Sequence, residues 1–162
     1  VDSKFPIFEV EDGKVDFGHN PFSMVTGGVE TLRQVIEEGK DPATVISEQY
    51  DMVCNGYEIL SGSIRNNSVE VLVKAFEFVG KSEEDVKTKF GAMYEAFQYG
   101  CPPHGGFAFG FDRLLMILID EPNIREVYAF PKSGRAEDVM MGAPSIVDQE
   151  QLEELGMKFT DI

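Results

Sequence analysis

The apolar positions of the first forty residues alternate before they recur at helical spacing. Phe5 to Val10 reads as a strand, Asp12-Gly13 as a turn, and Val15-Asp16-Phe17 as the returning strand, so the chain opens on a hairpin. Pro21 disfavours helix at Asn20, which makes His19-Asn20-Pro21-Phe22 a loop. Val29 to Glu38 predicts a short helix ending at Gly39, and Asp41-Pro42 marks the next boundary. Tyr50 to Ile59 is rich in strand formers and predicts one strand, with another around Ile64. The period then changes. Leu72, Phe76 and Val79 fall at i, i+4 and i+7, and Gly80 suits a helix end. Ser82 with Asp85 resembles a capping box, with Asp in place of the usual Glu. Val86, Phe90, Met93 and Phe97 continue one face, and Gly100 stops it. A strand at Phe107–Phe109 runs into a helix at Asp112–Ile119, and Asp148 with Gln151 opens a last short helix closed near Gly156. Strands, then helices, then a strand feeding a helix is not a βαβ alternation. The expected fold class is α+β, an antiparallel sheet flanked by helices.

The 162 residues are enough for one domain. A domain of this size buries roughly 70% of the surface its unfolded chain exposes, so it needs no staples. Cys54 and Cys101 lack zinc-type spacing and fit a reducing, cytoplasmic setting. No apolar run approaches the roughly 20 residues of a membrane span, and the start is not expected to be a signal peptide. The net charge of -15 argues against direct nucleic-acid binding by this chain, because phosphate contacts need Lys and Arg.

Three segments carry candidate chemistry. In Asn55-Gly56-Tyr57-Glu58-Ile59-Leu60-Ser61-Gly62-Ser63-Ile64-Arg65, a carboxylate and a guanidinium stand seven residues apart. On an uninterrupted strand that is ~23 Å, with the two side chains on opposite faces. A turn or bulge at Gly62 would let both meet one pocket. Glu58 could then hold Mg²⁺, which takes oxygen ligands, and Arg65 could grip a carboxylate with its planar fork; an ion pair across an ordinary hairpin explains the spacing as well. In Pro102-Pro103-His104-Gly105-Gly106-Phe107-Ala108-Phe109-Gly110-Phe111-Asp112-Arg113, glycines bracket a short strand that enters a helix. Gly110 permits close approach to the backbone, and a helix start suits phosphate. Arg113 in the first turn opposes the helix dipole, which suggests an anionic ligand; Asp112 or Glu121 are structural partners for it. His19, in the third segment, is a lone loop histidine.

These strings carry a family resemblance. His104-Gly105-Gly106-Phe107-Ala108-Phe109-Gly110-Phe111-Asp112-Arg113-Leu114 resembles motif three of class II aminoacyl-tRNA synthetases, and more narrowly of the aspartyl enzymes of bacteria. Asn55-Gly56-Tyr57-Glu58 with Gly62-Ser63-Ile64-Arg65 is similar to their amino-acid and Mg-ATP segment. Phe5-Pro6-Ile7-Phe8-Glu9, His19-Asn20-Pro21-Phe22, Ala129-Phe130-Pro131-Lys132 and Gly142-Ala143-Pro144-Ser145 follow the same family in order. The resemblance implies that Glu58 binds Mg²⁺ with ATP, Arg65 the side-chain carboxylate of L-aspartate, and His19 the aspartyl substrate. Gly110, Phe111, Asp112 and Arg113 would form the ATP segment, with Arg113 on the terminal phosphate. Ser61 matches a position that helps with metal or substrate in archaeal and eukaryotic relatives. Asn20 and Asn67 stand where histidines are common.

Nothing here resembles motif one, motif two, the anticodon-binding domain or the bacterial insertion. Residues 1–162 are therefore expected to be the C-terminal portion of a class II catalytic domain, inactive alone. The resemblance implies a cytoplasmic homodimer that meets tRNA through its other domains. An asparaginyl-tRNA synthetase or asparagine synthetase on the same scaffold is the nearest rival, disfavoured by Asp112 where those enzymes usually have Glu; a standalone, non-catalytic binding module is the other. A bared sheet edge would promote self-association.

Overall fold

A computed structural model describes residues 1–158. It divides into two compact units, one over Val1–Arg113 and one from Leu114 onward.

In the first unit, β1 (Asp2–Ser3), β4 (Gln49–Cys54), β5 (Tyr57–Ile64) and β6 (Gly105–Phe109) form one antiparallel sheet in the order β1-β4-β5-β6. A separate hairpin pairs β2 (Phe8–Glu11) with β3 (Lys14–Phe17) around Asp12-Gly13, both at positive φ. This is the primed two-residue turn that matches strand twist. Three helices accompany the strands: α1 (Gly28–Glu38), α2 (Val69–Phe78) and α3 (Glu83–Gln98). α1 ends at Gly39, and Gly80 and Gly100 follow the other two at positive φ. The capping box at α3 forms as expected: Ser82 Oγ accepts from the Asp85 N–H, and the Asp85 carboxylate accepts from the Ser82 N–H. α3 kinks at Phe90, whose φ of -127° departs from helix.

The expected single strand over Tyr50–Ile59 is instead two. Asn55 and Gly56, both at positive φ, turn the chain between β4 and β5. Asn-Gly is the strongest short hairpin signal, and the strand-forming residues on either side of it are two halves of one hairpin. Nor is there a separate strand at Ile64, which ends β5.

The core of this unit joins the hairpin to the helices. Ile7 and Phe8 pack with Val25, Leu32, Val35, Val45, Val71 and Ala75. Leu72, Phe76 and Val86 form a second cluster. Aromatic rings bridge the two: Phe8 stacks on Phe78 at 4.8 Å and meets Phe17 at 5.5 Å, and Phe17 meets Phe76 at 5.0 Å. Phe76 in turn contacts Phe22, so the loop after His19 is anchored in the core. β6 is an outer strand, at the end opposite β1, and every residue of it is exposed, Phe107 at 63%.

β6 leads through Gly110 into α4 (Phe111–Leu118). The second unit holds a short 3-10 turn at Ile124–Glu126 and α5 (Gln149–Glu154), where the Gln151 side chain accepts from the Asp148 N–H. Asp138 is its polar centre: it pairs with Lys132 and accepts from the Met140 and Met141 N–H groups. The Lys132 hydrogen bond, then the backbone donor at Met141, hold its carboxyl below the usual carboxylate range.

Candidate active site

Glu58 and Arg65 do line one cavity, but not by the expected route. β5 runs straight through Gly62, which pairs with both Tyr50 and Phe107. The reason for glycine there is space. A Cβ would stand 2.5 Å from the Gly106 carbonyl oxygen and 2.7 Å from the Tyr50 ring. The irregularity lies earlier. Val53 pairs with Glu58 and Met52 with Leu60, so Ile59 is an extra residue on β5. Ile59 and Leu60 are consecutive and both buried. Because the bulge consumes one step of the alternation, Glu58 joins Ser61, Ser63 and Arg65 on the other face.

That face forms the floor of a cavity of about 560 Å³. Glu58, Ser61 and Arg65 line it from β5 and its exit, and His19 from the loop after β3. Opposite Ser61 and Ser63, β4 contributes Asp51 and Gln49. Neither was singled out from the sequence. Counting outward from an Asn55-Gly56 turn sets them against Leu60 and Gly62, and only the bulge at Ile59 brings them opposite Ser61 and Ser63. The acidic side chains, Asp51 and Glu58, sit toward the turn. Arg65, at the far end of β5, is roughly 20 Å from Glu58 at strand spacing. Burial, then the charge of Glu58, raise the Asp51 carboxyl, and His19 opposes them.

The backbone around Arg65 is fixed on both sides. Its N–H donates to the His104 carbonyl at 2.9 Å, and it bridges Ser23 across an isolated pair. Asn66 N–H donates to the Phe22 carbonyl at 2.8 Å. Asn67 turns away to donate to the Cys101 carbonyl at 3.3 Å.

Arg113 is not part of the cavity wall. It reaches the acidic end from outside, donating from Nη1 to the Glu58 carbonyl at 2.6 Å and lying 3.7 Å from Glu58 Oε1. Its partner is thus Glu58 rather than Asp112 or Glu121. Gly110, Phe111 and Asp112 are likewise absent from the lining. What comes close to Gly110 is the Ile59 carbonyl, which accepts its N–H at 2.8 Å. Among the described residues no cluster of three or more His, Cys, Asp or Glu could by itself hold a metal, and no helix is long and apolar enough to cross a membrane.

A family model described as tRNA synthetases class II (D, K and N) matches residues 3–134. The chain is 54% identical over 156 residues to an aspartate--tRNA(Asp/Asn) ligase of Roseobacter denitrificans, covering 95% of this chain and 25% of that protein. It is 55% identical over 155 residues to the ligase of the same name from Cereibacter sphaeroides, with the same two coverages, 95% and 25%. Among solved structures, an aspartyl tRNA synthetase from Entamoeba histolytica superposes with a TM-score of 0.55 at 26% identity, over 75% of this chain and 21% of that one. The chain thus spans about a quarter of the length of the curated relatives it matches.

Proposed function

Because the chain belongs to the class II tRNA synthetases of the D, K and N group, we propose that it carries the aspartate and Mg-ATP half of an aspartate-tRNA ligase active site. The observation that carries this reading is the shared cavity, with Arg65 at one end and Glu58 at the other. Arg65 presents a planar fork suited to a carboxylate. It therefore selects L-aspartate by its side chain, with His19 and Ser61 beside the same substrate. ATP lies toward Glu58, where Arg113 adds positive charge for a phosphate once it exchanges its contact with Glu58 for the nucleotide. Gly110, Phe111 and Asp112 belong to the same ATP segment through their link to Arg113.

The donor set at the acidic end fits Mg²⁺. Asp51 and Glu58 offer hard oxygen ligands, and Mg²⁺ is commonly held by one or two carboxylates plus substrate phosphates. Bound there, the cation neutralises phosphate charge.

The reaction has two steps. The aspartate α-carboxylate attacks the α-phosphorus of ATP, giving aspartyl-adenylate and pyrophosphate. A terminal hydroxyl of tRNA then takes the aspartyl group and releases AMP. Neither step needs an enzyme nucleophile, so these residues act by positioning and by charge. The whole protein is then a cytoplasmic homodimer that uses ATP, L-aspartate and tRNA. Residues 1–162 form the C-terminal portion of its catalytic domain, and tRNA contact falls to segments less acidic than this one. The relatives carry tRNA(Asp/Asn) in their names, and acceptance of both tRNAs extends the same reading.

Two measurements on the chain itself test this. Calorimetry with a non-hydrolysable aspartyl-adenylate mimic, aspartyl-sulfamoyl adenosine, is expected to show binding that is at least about tenfold tighter than for the asparaginyl mimic. Equal affinity for the two rejects the aspartate reading. Aspartate-dependent ATP–pyrophosphate exchange is expected to be absent, and robust exchange would show that this chain holds the complete machinery.

A further inference from the structure

We propose that Gln49 is a positioning residue: its amide fixes the His19-Asn20 loop and the Phe5 segment as one wall of the cavity. This rests on the aspartate-ligase reading only for what the wall then binds.

The geometry begins with burial. Gln49 is 8% exposed and Ser47 fully buried, and their side chains meet, Gln49 Nε2 donating to Ser47 Oγ at 2.6 Å. Ser47 Oγ donates onward to the Phe5 carbonyl at 2.9 Å. On its other side, Gln49 Oε1 accepts the Asn20 N–H at 3.3 Å. Only one orientation of the amide satisfies this chain. Reversed, it would present N–H to the Asn20 N–H and carbonyl to a hydroxyl already donating elsewhere. The Gln49 backbone carbonyl also accepts the Lys4 N–H at 3.1 Å. One residue therefore holds both lips of the cavity, Asn20 through its side chain and residues 4–5 through its backbone and Ser47. His19 sits between those anchors. It precedes Asn20, and its imidazole meets the Phe5 ring edge-on at 5.5 Å. Buried hydrogen-bonded polar chains of this kind favour one arrangement of the groups they join.

The buried polar residues point the same way. Ser23, Ser47, Gln49, Ser63 and Asn66 all lie on or beside the strand ends around Arg65.

The chain has two histidines, His19 and His104, so their ring proton signals are readily separated by NMR. In Gln49→Met, which keeps side-chain length and loses both hydrogen bonds, the His19–Phe5 nuclear Overhauser contact is expected to vanish. The His19 signals should move toward unstructured values while the fold persists. Affinity for aspartyl-sulfamoyl adenosine should fall about tenfold. Ser47→Ala, which removes the acceptor of Nε2 and the donor to the Phe5 carbonyl but leaves the Gln49–Asn20 bond, is the second variant and decides the matter if Gln49→Met does not fold. It should weaken the same contact. Unchanged His19 signals in a folded variant, even one with a lowered melting temperature, overturn the proposal, because a merely structural glutamine would behave that way. If the wild-type chain does not bind the mimic, the functional reading fails separately, and the His19 signals still decide the role of Gln49.

Discussion

Replacing Arg65 by Gln is expected to lower the affinity of this chain for aspartyl-sulfamoyl adenosine by about 100-fold or more. Removing one partner of a desolvated, hydrogen-bonded charge pair typically costs 2–5 kcal/mol, and each 1.4 kcal/mol is tenfold. The loss should be specific. Affinity for the asparaginyl mimic, which has no side-chain charge, should change little, so the gap between the two ligands collapses. Arg65→Lys keeps the charge without the fork and should recover only part of the loss. Since the Arg65 backbone is what bonds to His104, the fold should survive, and a thermal melt checks that it does. Equal losses for both ligands would mean that Arg65 supports the cavity without reading the substrate.

Phe8→Ala is expected to destabilise the first unit by about 3–5 kcal/mol, the usual range for a buried phenylalanine. The ring is 1% exposed and touches both Phe17 and Phe78. Its removal loosens the hairpin from α2 at the point where two core clusters meet through Phe17. That is a large part of the 5–15 kcal/mol that holds a typical domain together. Urea unfolding, read as a midpoint shift at constant slope, measures it. A shift worth less than about 1 kcal/mol would place the stabilising core elsewhere.

Local chemistry was legible wherever a few neighbouring residues decide the structure. Asp12-Gly13 turned as expected. The Leu72-Phe76-Val79 stripe became α2 with its continuation into the chain after it, and Ser82 with Asp85 capped α3. The class of the fold followed from the order of these elements. The parts that needed pairing information were not legible. Nothing in Glu58-Ile59-Leu60-Ser61 announces a bulge, because a buried Ile followed by a buried Leu also fits a strand covered on both faces. The bulge becomes visible only when Val53 and Met52 are set against their partners. Asp51 and Gln49 escaped notice for a related reason. In isolation a polar residue in a strand reads as its solvent face; here that face is the cavity. Gly62 was legible as necessary but for the wrong cause, since space beside Tyr50 and Gly106 demands it, not a turn. The glycine-rich string that enters α4 identified the family, yet its residues Gly110, Phe111 and Asp112 lie off the cavity wall, with Arg113 reaching it only through Glu58.

The register shift at Ile59 gives the cavity its polarity, a guanidinium at one end and two carboxylates at the other. A crystal structure of this chain with aspartyl-sulfamoyl adenosine and Mg²⁺ tests that polarity most directly. The expected result is the ligand's side-chain carboxylate in the fork of Arg65, with the phosphate-like group and the cation toward Glu58 and Asp51. The ligand reversed end for end, or bound away from this strand face, would contradict it.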